Sequence, residues 1–348
     1  MLIPDISGFS HFVNNTEIIH SVHIIAEMLE TLIDHNILGL KVAEVEGDAV
    51  FFYRIGEAPT VKEINAQIEE MYLAFHQLVK VHERDRICSC GACSTVNNLK
   101  VKFVSHYGNV VERKIHDHFQ LMGADVVKLH KLLKNNVDHP EYYLFTQESL
   151  LDLKKESLGF WGNIQNKTIY YDGIGELNYH YVALDKSIFT IPELEAPRQI
   201  ELIEYPIKSN VIINCSIDKT FDLLKDLDRR SEWVKKLKQI NYKLNQVQRA
   251  GSTHDCVLPL NTVSIETVSS EESIEQKIFV EYTDSSTFFP AFFQRFILSK
   301  VDEGSCSIES EIHYKGNRLK GALLKFAIRN AIDSNLYSFK NYCESFEE

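Results

Sequence analysis

The octapeptide Ile3-Pro4-Asp5-Ile6-Ser7-Gly8-Phe9-Ser10 sets the reading of the N-terminal half: a short apolar strand runs into a carboxylate and then a glycine-containing turn. A carboxylate beside unpaired backbone N–H groups is what a metal-bound triphosphate requires. The same Asp is also a natural cap for a following helix. That helix is predicted over Asn14–Ile37, where Ile18, Val22, Ile25, Leu29, Leu32 and Ile33 recur at the spacing of one helical face. Leu38–Tyr53 divides into two strands about the turn Glu46-Gly47-Asp48. A second helix follows over Val61–Val81, then an alternating strand Leu99–Tyr107 that turns at Gly108, a helix Ala124–Leu133 and a strand Tyr142–Phe145. This order predicts an α+β sandwich, one sheet with helices packed on it.

Working outward, the stretch from Ala183 to Pro206 carries three prolines and no sustained helical period, so it reads as an extended linker. The division expected is a first domain over residues 1–185, a linker over 186–205 and a second domain over 206–348. In the second domain a strand at Asn210–Ile217 precedes a helix Thr220–Leu227 capped by Ser216 or Asp218. Strands rich in Val, Ile and Thr follow at Ile240–Gln248, His254–Leu258, Thr262–Val268, Gln276–Thr283, Phe292–Val301 and Cys306–Tyr314. The last segment, Arg318–Cys343, reads as a long amphipathic helix with Leu319, Leu323, Phe326, Ala327, Asn330, Ile332, Leu336, Phe339 and Tyr342 on its apolar stripe. An antiparallel sheet curled around one long helix encloses a cavity wherever the facing side chains do not fill it.

Composition bounds the function classes. The 348 residues are 44% hydrophobic and 25% charged, the balance of a globular protein, and are long enough for two domains. A net charge of −12 argues against a nucleic-acid binder, which needs clustered cations. No apolar run is long enough to span a bilayer, and the N-terminus lacks the charged and apolar regions of a signal peptide, so a cytoplasmic setting is expected. Cys88, Cys90 and Cys93 are crowded into one loop rather than spread as a disulfide framework. Three thiols at this spacing can wrap a Zn²⁺ ion, with His82 or His106 as the fourth ligand, or remain ordinary reduced thiols.

DISGFS, then EVEGDAVFF, then VSHYGNVV, then LMGADVVKLHKLL, taken together over Leu2–Tyr181, resemble the ordered motif series of class III adenylyl and guanylyl cyclases. The pairing of IPDISGF with a CxCGAC insert is similar to an uncharacterised bacterial family of cyclase-homology proteins. The resemblance implies a ferredoxin-like domain that dimerises head to tail, here as a homodimer. It makes Asp5 and Asp48 the ligands of Mg²⁺ or Mn²⁺ and lays Ile6, Ser7, Gly8 and Phe9 against the phosphates of a nucleoside triphosphate. Glu44 and Gln120 take the base-reading positions; Glu44 is the residue guanylyl cyclases use, and Gln120 matches neither usual choice. In the family, an Asn that orients the ribose and an Arg that stabilises the transition state come from the other subunit. Their positions are Val127 and Lys131 here. Val cannot donate a hydrogen bond, and Lys131 keeps the charge of Arg without its fork. Losing one such donor costs about 10²–10³ in rate, so the metal-binding half is retained and the catalytic half impaired.

Residues from Ile200 onward, opening with NVIINCSIDKTFDLLKDLDRRSEWVKKLKQI, resemble the START-like (SRPBCC, helix-grip) superfamily. This implies an apolar small molecule held under the C-terminal helix, with Trp233, Phe289, Phe293 and Phe296 lining the pocket. Three readings follow: a sensor or regulator joining a degenerate cyclase-homology domain to a hydrophobic-ligand domain; an active nucleotidyl cyclase with a rewired two-metal site; and a lipid- or polyketide-binding protein with a scaffold N-terminal domain.

Overall fold

The computed structural model describes residues 1–14, 18–87, 90–149, 164–185, 189–203, 205–243, 248–284, 291–314 and 321–346. The chain forms two compact units, one dominated by Met1–Arg84 and Ser89–Leu194, the other by Glu195–Leu244 and Gln248–Glu348.

In the first unit β1 (Leu2–Ser7) leads into α1 (Phe9–Asn14) and α2 (Ile18–Asp34), followed by the hairpin β2 (Lys41–Glu46) and β3 (Ala49–Tyr53). Next come α3 (Val61–Asp85), the short α4 (Gly91–Thr95), β4 (Lys100–Ser105), and an exposed hairpin of β5 (Val111–Ile115) and β6 (His118–Met122). Then α5 (Ala124–Leu132), β7 (Tyr142–Phe145), β8 (Gln165–Tyr171) and β9 (Gly175–Ala183) complete it. The sheet order is β2-β3-β1-β4-β7-β9-β8, antiparallel except for the parallel β4–β7 pair. Its first four strands with α2 and α3 make the βαββαβ connection and 4-1-3-2 strand order of a ferredoxin-like fold.

β3 is buried along its whole length because both faces of the sheet are covered. Ile3, Phe51, Val104 and Leu144 share one core cluster with Val126, Leu129 and Leu132 of α5. Each such apolar side chain contributes roughly 1.5–3 kcal/mol on burial. α3 is tied to the sheet by the buried Glu141, which accepts from the Val101 N–H at 3.2 Å and lies 2.7 Å from His76 Nε2.

In the second unit β10 (Ile207–Ile213) is followed by α6 (Ile217–Lys225), α7 (Arg230–Trp233), β11 (Gln239–Asn241), β12 (Thr253–Val257), β13 (Thr262–Glu272), β14 (Gln276–Thr283), β15 (Phe292–Lys300), β16 (Cys306–Tyr314) and α8 (Gly321–Glu344). β11 to β16 pair antiparallel in sequence order, and β10 closes on the outer edge of β16. Ser216 caps α6, its Oγ accepting the Lys219 N–H at 3.4 Å. On α8 the buried positions are Ile332, Leu336, Phe339 and Cys343, a stripe packed with Trp233 and Phe296. Phe326, expected on that stripe, is 67% exposed and lies outside it. A seven-stranded antiparallel sheet gripping one long C-terminal helix is the helix-grip arrangement, and the two units together are the α+β architecture predicted.

Candidate functional site

A cavity of about 760 Å³ opens at the end of β1. Asp5 to Phe9 form one wall, Glu46 and Asp48 of the β2–β3 turn another, and Lys102 of β4 the floor. Gly8 has φ of +91°, the left-handed conformation that turns the strand into α1. The turn is fixed to the strand because the Ile6 N–H donates to the Asp48 carbonyl at 2.9 Å. Asp5 and Lys102 are register partners on neighbouring strands, and Lys102 Nζ lies 3.4 Å from Asp5 Oδ1. Burial pushes the Asp5 carboxyl above its ordinary range; Lys102 opposes this and the nearby Asp48 adds to it. Burial raises Asp48 as well, against a backbone hydrogen bond and the charge of Lys102. The two carboxylates thus share one built-in ammonium.

The opposite wall is α5, which brings Val127, His130 and Lys131 to the same cavity. Its position is set by Asp125, which accepts from the Asn109 N–H and from Lys128 Nζ, each at 2.7 Å, and lies 3.3 Å from His106 Nε2. Burial would raise the Asp125 carboxyl, but these partners outweigh it and hold it at about 2. A Cβ on Gly108 would stand 2.3 Å from Asp125, and one on Gly123, whose φ is +146°, would stand 2.9 Å from the Asn109 carbonyl. His106, Gly108, Gly123 and Asp125 therefore form a packing node, and this accounts for much of the VSHYGNVV and LMGADVV motifs.

Of the residues predicted from sequence, Asp5, Ile6, Ser7, Gly8, Phe9, Asp48 and Lys131 come together in this cavity. Glu44 and Gln120 do not: both are exposed, on β2 and β6, and neither lines it. Lys131 and Val127 line the same cavity as the acidic pair within one chain, where the resemblance places those positions on a partner subunit. Lys102 belongs to none of the motifs above, although the alternation of Lys100 and Lys102 along β4 marks them as one polar face. A pair of bare carboxylates is not what a divalent cation would meet here, because Lys102 already engages Asp5. The residues do not form a ready two-cation cradle.

In the second unit a cavity of about 380 Å³ lies between the sheet and α8. Val263, Ile265, Phe292, Phe296, Ile312, Ile328, Ile332 and Leu336 make it apolar, with Arg230, Trp233 and Glu281 at its polar side. Arg230 is only 3% exposed; its Nη1 lies 2.6 Å from Glu281 Oε1 and 2.9 Å from His254 Nε2. Burial, then the Arg230 charge, lowers His254 to about 3, so its Nε2 accepts from the guanidinium. Among the described residues Arg230 Nε and Trp233 Nε1 are buried donors without a partner.

Trp233 and Phe296 line this cavity, but Phe293 does not. Three residues apart on a strand means opposite faces, and Phe293 packs instead with Val268, Val280 and Tyr282. Phe289 lies outside the described residues, as does Cys88. Cys90 caps α4, where its sulfur accepts the Cys93 N–H. Neither histidine expected to complete a site with these thiols is aimed at them: His82 Nε2 lies 3.0 Å from Glu27, and His106 engages Thr146 and Asp125. No described helix is long and apolar enough to cross a membrane.

A family profile described as a protein of unknown function, DUF2652, matches residues 25–142. The Mycobacterium tuberculosis protein Rv2561/Rv2562, described as uncharacterized, is 34% identical over 164 residues, which cover 47% of this chain and 74% of that protein. Human STARD10 aligns with 40% of this chain and 62% of its own at 12% identity and a TM-score of 0.31. A START superfamily protein from Mycobacterium smegmatis aligns with 40% of this chain and 98% of its own at 12% identity and a TM-score of 0.33. At these values the two structures add nothing to what the strand order itself establishes.

Proposed function

The chain belongs to the family of the Mycobacterium tuberculosis protein Rv2561/Rv2562, and from that premise we propose that its second unit binds an amphipathic small molecule: an apolar body with an oxygen acceptor at one end. The observation that carries this reading is the pair of buried donors, Arg230 Nε and Trp233 Nε1, unpartnered among the described residues, on two residues that line a largely apolar cavity. A buried donor left unpaired costs about 1–3 kcal/mol. A carbonyl, carboxylate or hydroxyl oxygen reaching both would recover that cost while its chain fills the apolar space. The pocket then discriminates against plain hydrocarbons, which leave the donors unpaired.

Titration of the full chain with a fluorescent fatty acid tests this. Saturable binding is expected, weakened roughly tenfold by Trp233→Phe, the scale of one buried hydrogen bond. No saturable binding, or equal affinity in the variant, would sink the reading.

A second reading concerns the first unit, where Lys102, Lys131, Lys134 and the Gly8 turn around one cavity favour a nucleoside triphosphate as ligand. With Val127 offering only methyl groups where the cyclase resemblance calls for an Asn donor, we propose binding without formation of a cyclic nucleotide. On this reading the protein is a two-ligand sensor or regulator rather than a cyclase. Its test is titration with Mn²⁺ and with GTP together with product analysis, in which nucleotide binding without cyclic product is expected.

A further inference from the structure

Neither cavity accounts for a third cluster. His20 Nδ1 on α2 lies 3.2 Å from Cys90 Sγ and 3.6 Å from Cys93 Sγ, and the three ligating atoms lie within 4.8 Å of one another. None of these residues lines either cavity. We propose that His20, Cys90 and Cys93 bind a zinc ion.

The distances carry the argument. With Zn–S near 2.3 Å and Zn–N near 2.0–2.1 Å, the S···N edge of a tetrahedral site is about 3.5 Å. The two observed separations, 3.2 and 3.6 Å, bracket that edge. A cation placed among the three atoms would meet all of them at bonding distance.

Cys90 Sγ also accepts the Cys93 N–H at 3.4 Å, which fixes the two sulfurs on the same side of α4 as His20. Cys93 is 4% exposed, and His20 and Cys90 are half-buried, so the site is shielded yet reachable. Two thiolates and an imidazole are the soft and borderline donors that select zinc over Mg²⁺ or Ca²⁺.

The ion would staple α2 to α4. From α4 the chain runs to Asn98, whose carbonyl lies 3.6 Å from where a Cβ on Gly8 would stand. The staple would therefore brace the back of the turn that walls the first cavity.

The test is elemental analysis of the full chain purified without chelators from zinc-supplemented medium. One zinc per chain is expected. Its loss is expected in His20→Ala, Cys90→Ser and Cys93→Ser, with retention in Cys306→Ala. Should these variants fold poorly, Co²⁺ added to chelator-stripped wild-type protein keeps the proposal testable: a thiolate-to-cobalt charge-transfer band and tetrahedral d–d bands are expected. Absence of zinc together with no cobalt spectrum overturns the proposal, as does zinc retained in well-folded Cys90→Ser and Cys93→Ser. Because fatty-acid binding is read at different residues, failure here leaves the proposed function standing, and the reverse.

Discussion

The two cavities solve the problem of charge inside a site in opposite ways. In the first, Lys102 supplies a counter-ion to Asp5 within the binding space itself, so an incoming ion must compete with the protein. In the second, Arg230 and Glu281 are paired with each other, which leaves a guanidinium Nε and an indole N–H buried without partners among the described residues. One site is tuned by competition between charges, the other by donors left over from a completed charge pair.

The largest effect that can break this contrast is expected from Arg230→Met. Removing the guanidinium strands Glu281, 5% exposed, without its counter-charge. Breaking a buried pair on one side costs about 3–5 kcal/mol, read as a fall in the urea midpoint of the second unit. The double variant Arg230→Met/Glu281→Leu is expected to recover most of that loss, because removing both charges leaves no stranded ion. If the single variant is as stable as wild type, Arg230 and Glu281 are not the pair that organises the cavity.

A smaller effect separates the sites by the sign of their response to acid. His254 is lowered to about 3 by burial and by Arg230, whereas the unfolded imidazole titrates near its ordinary value of 6.5. Between those limits the unfolded chain binds more protons, so His254 contributes stability that is present above the unfolded value and is lost as pH falls. Glu311 acts in the same direction lower down: burial raises it, but Lys208, His313 and Arg295 hold it at about 2, and its contribution erodes as pH falls from its ordinary 4.5 toward 2. Asp5 and Asp48 are raised, so their ionisation opposes folding and their protonation on acidification relieves it. Denaturation of a Trp161→Phe variant, with Trp233 as the remaining tryptophan, should show the second unit losing stability below pH 6.5 at a slope on the order of 1 kcal/mol per pH unit. A flat profile from pH 6.5 down to 4 would remove His254 from the buried cluster.

Much of the fold was legible because apolar periodicity is a local signal. β7, β14 and β16 fall on the residues expected of them, and α8 buries the C-terminal part of its expected stripe, Ile332, Leu336 and Phe339, while Phe326, Ala327 and Asn330 are exposed. The first cavity was legible where short motifs carry it, at Asp5 to Phe9, Asp48 and Lys131. Lys102 lies nearly a hundred residues from Asp5 and meets it only through the register of β1 against β4, which no single segment encodes. His20 is separated from the cysteine loop in the same way and meets it only by the packing of α2 on α4, whereas His82 and His106 are nearer in sequence. Phe293 is the converse case: strand parity alone separates it from Phe296, and aromatic character concealed that signal.

The smallest effect sharpens the comparison most, because it tests competition directly. If Lys102 serves as the resident counter-ion of Asp5 and Asp48, deleting it should raise affinity for a free divalent cation and lower affinity for a metal-free triphosphate, two changes of opposite sign from one substitution. At 3.4 Å, in a partly solvated cavity, the ammonium is worth enough for Lys102→Ala to bind Mn²⁺ on the order of tenfold more tightly. GTP without metal should bind several-fold more weakly, since phosphate oxygens lose that cation, and Asp48→Ala should weaken Mn²⁺ alone. Calorimetric titration of the three proteins with Mn²⁺ and with GTP measures all of this, and product analysis of the wild type with Mn²⁺ and GTP should find no cyclic nucleotide. Unchanged Mn²⁺ affinity in Lys102→Ala would mean that the ammonium does not hold the place of an ion. Cyclic product that vanishes in Asp48→Ala would make Lys131 a working substitute for arginine and the first unit an enzyme.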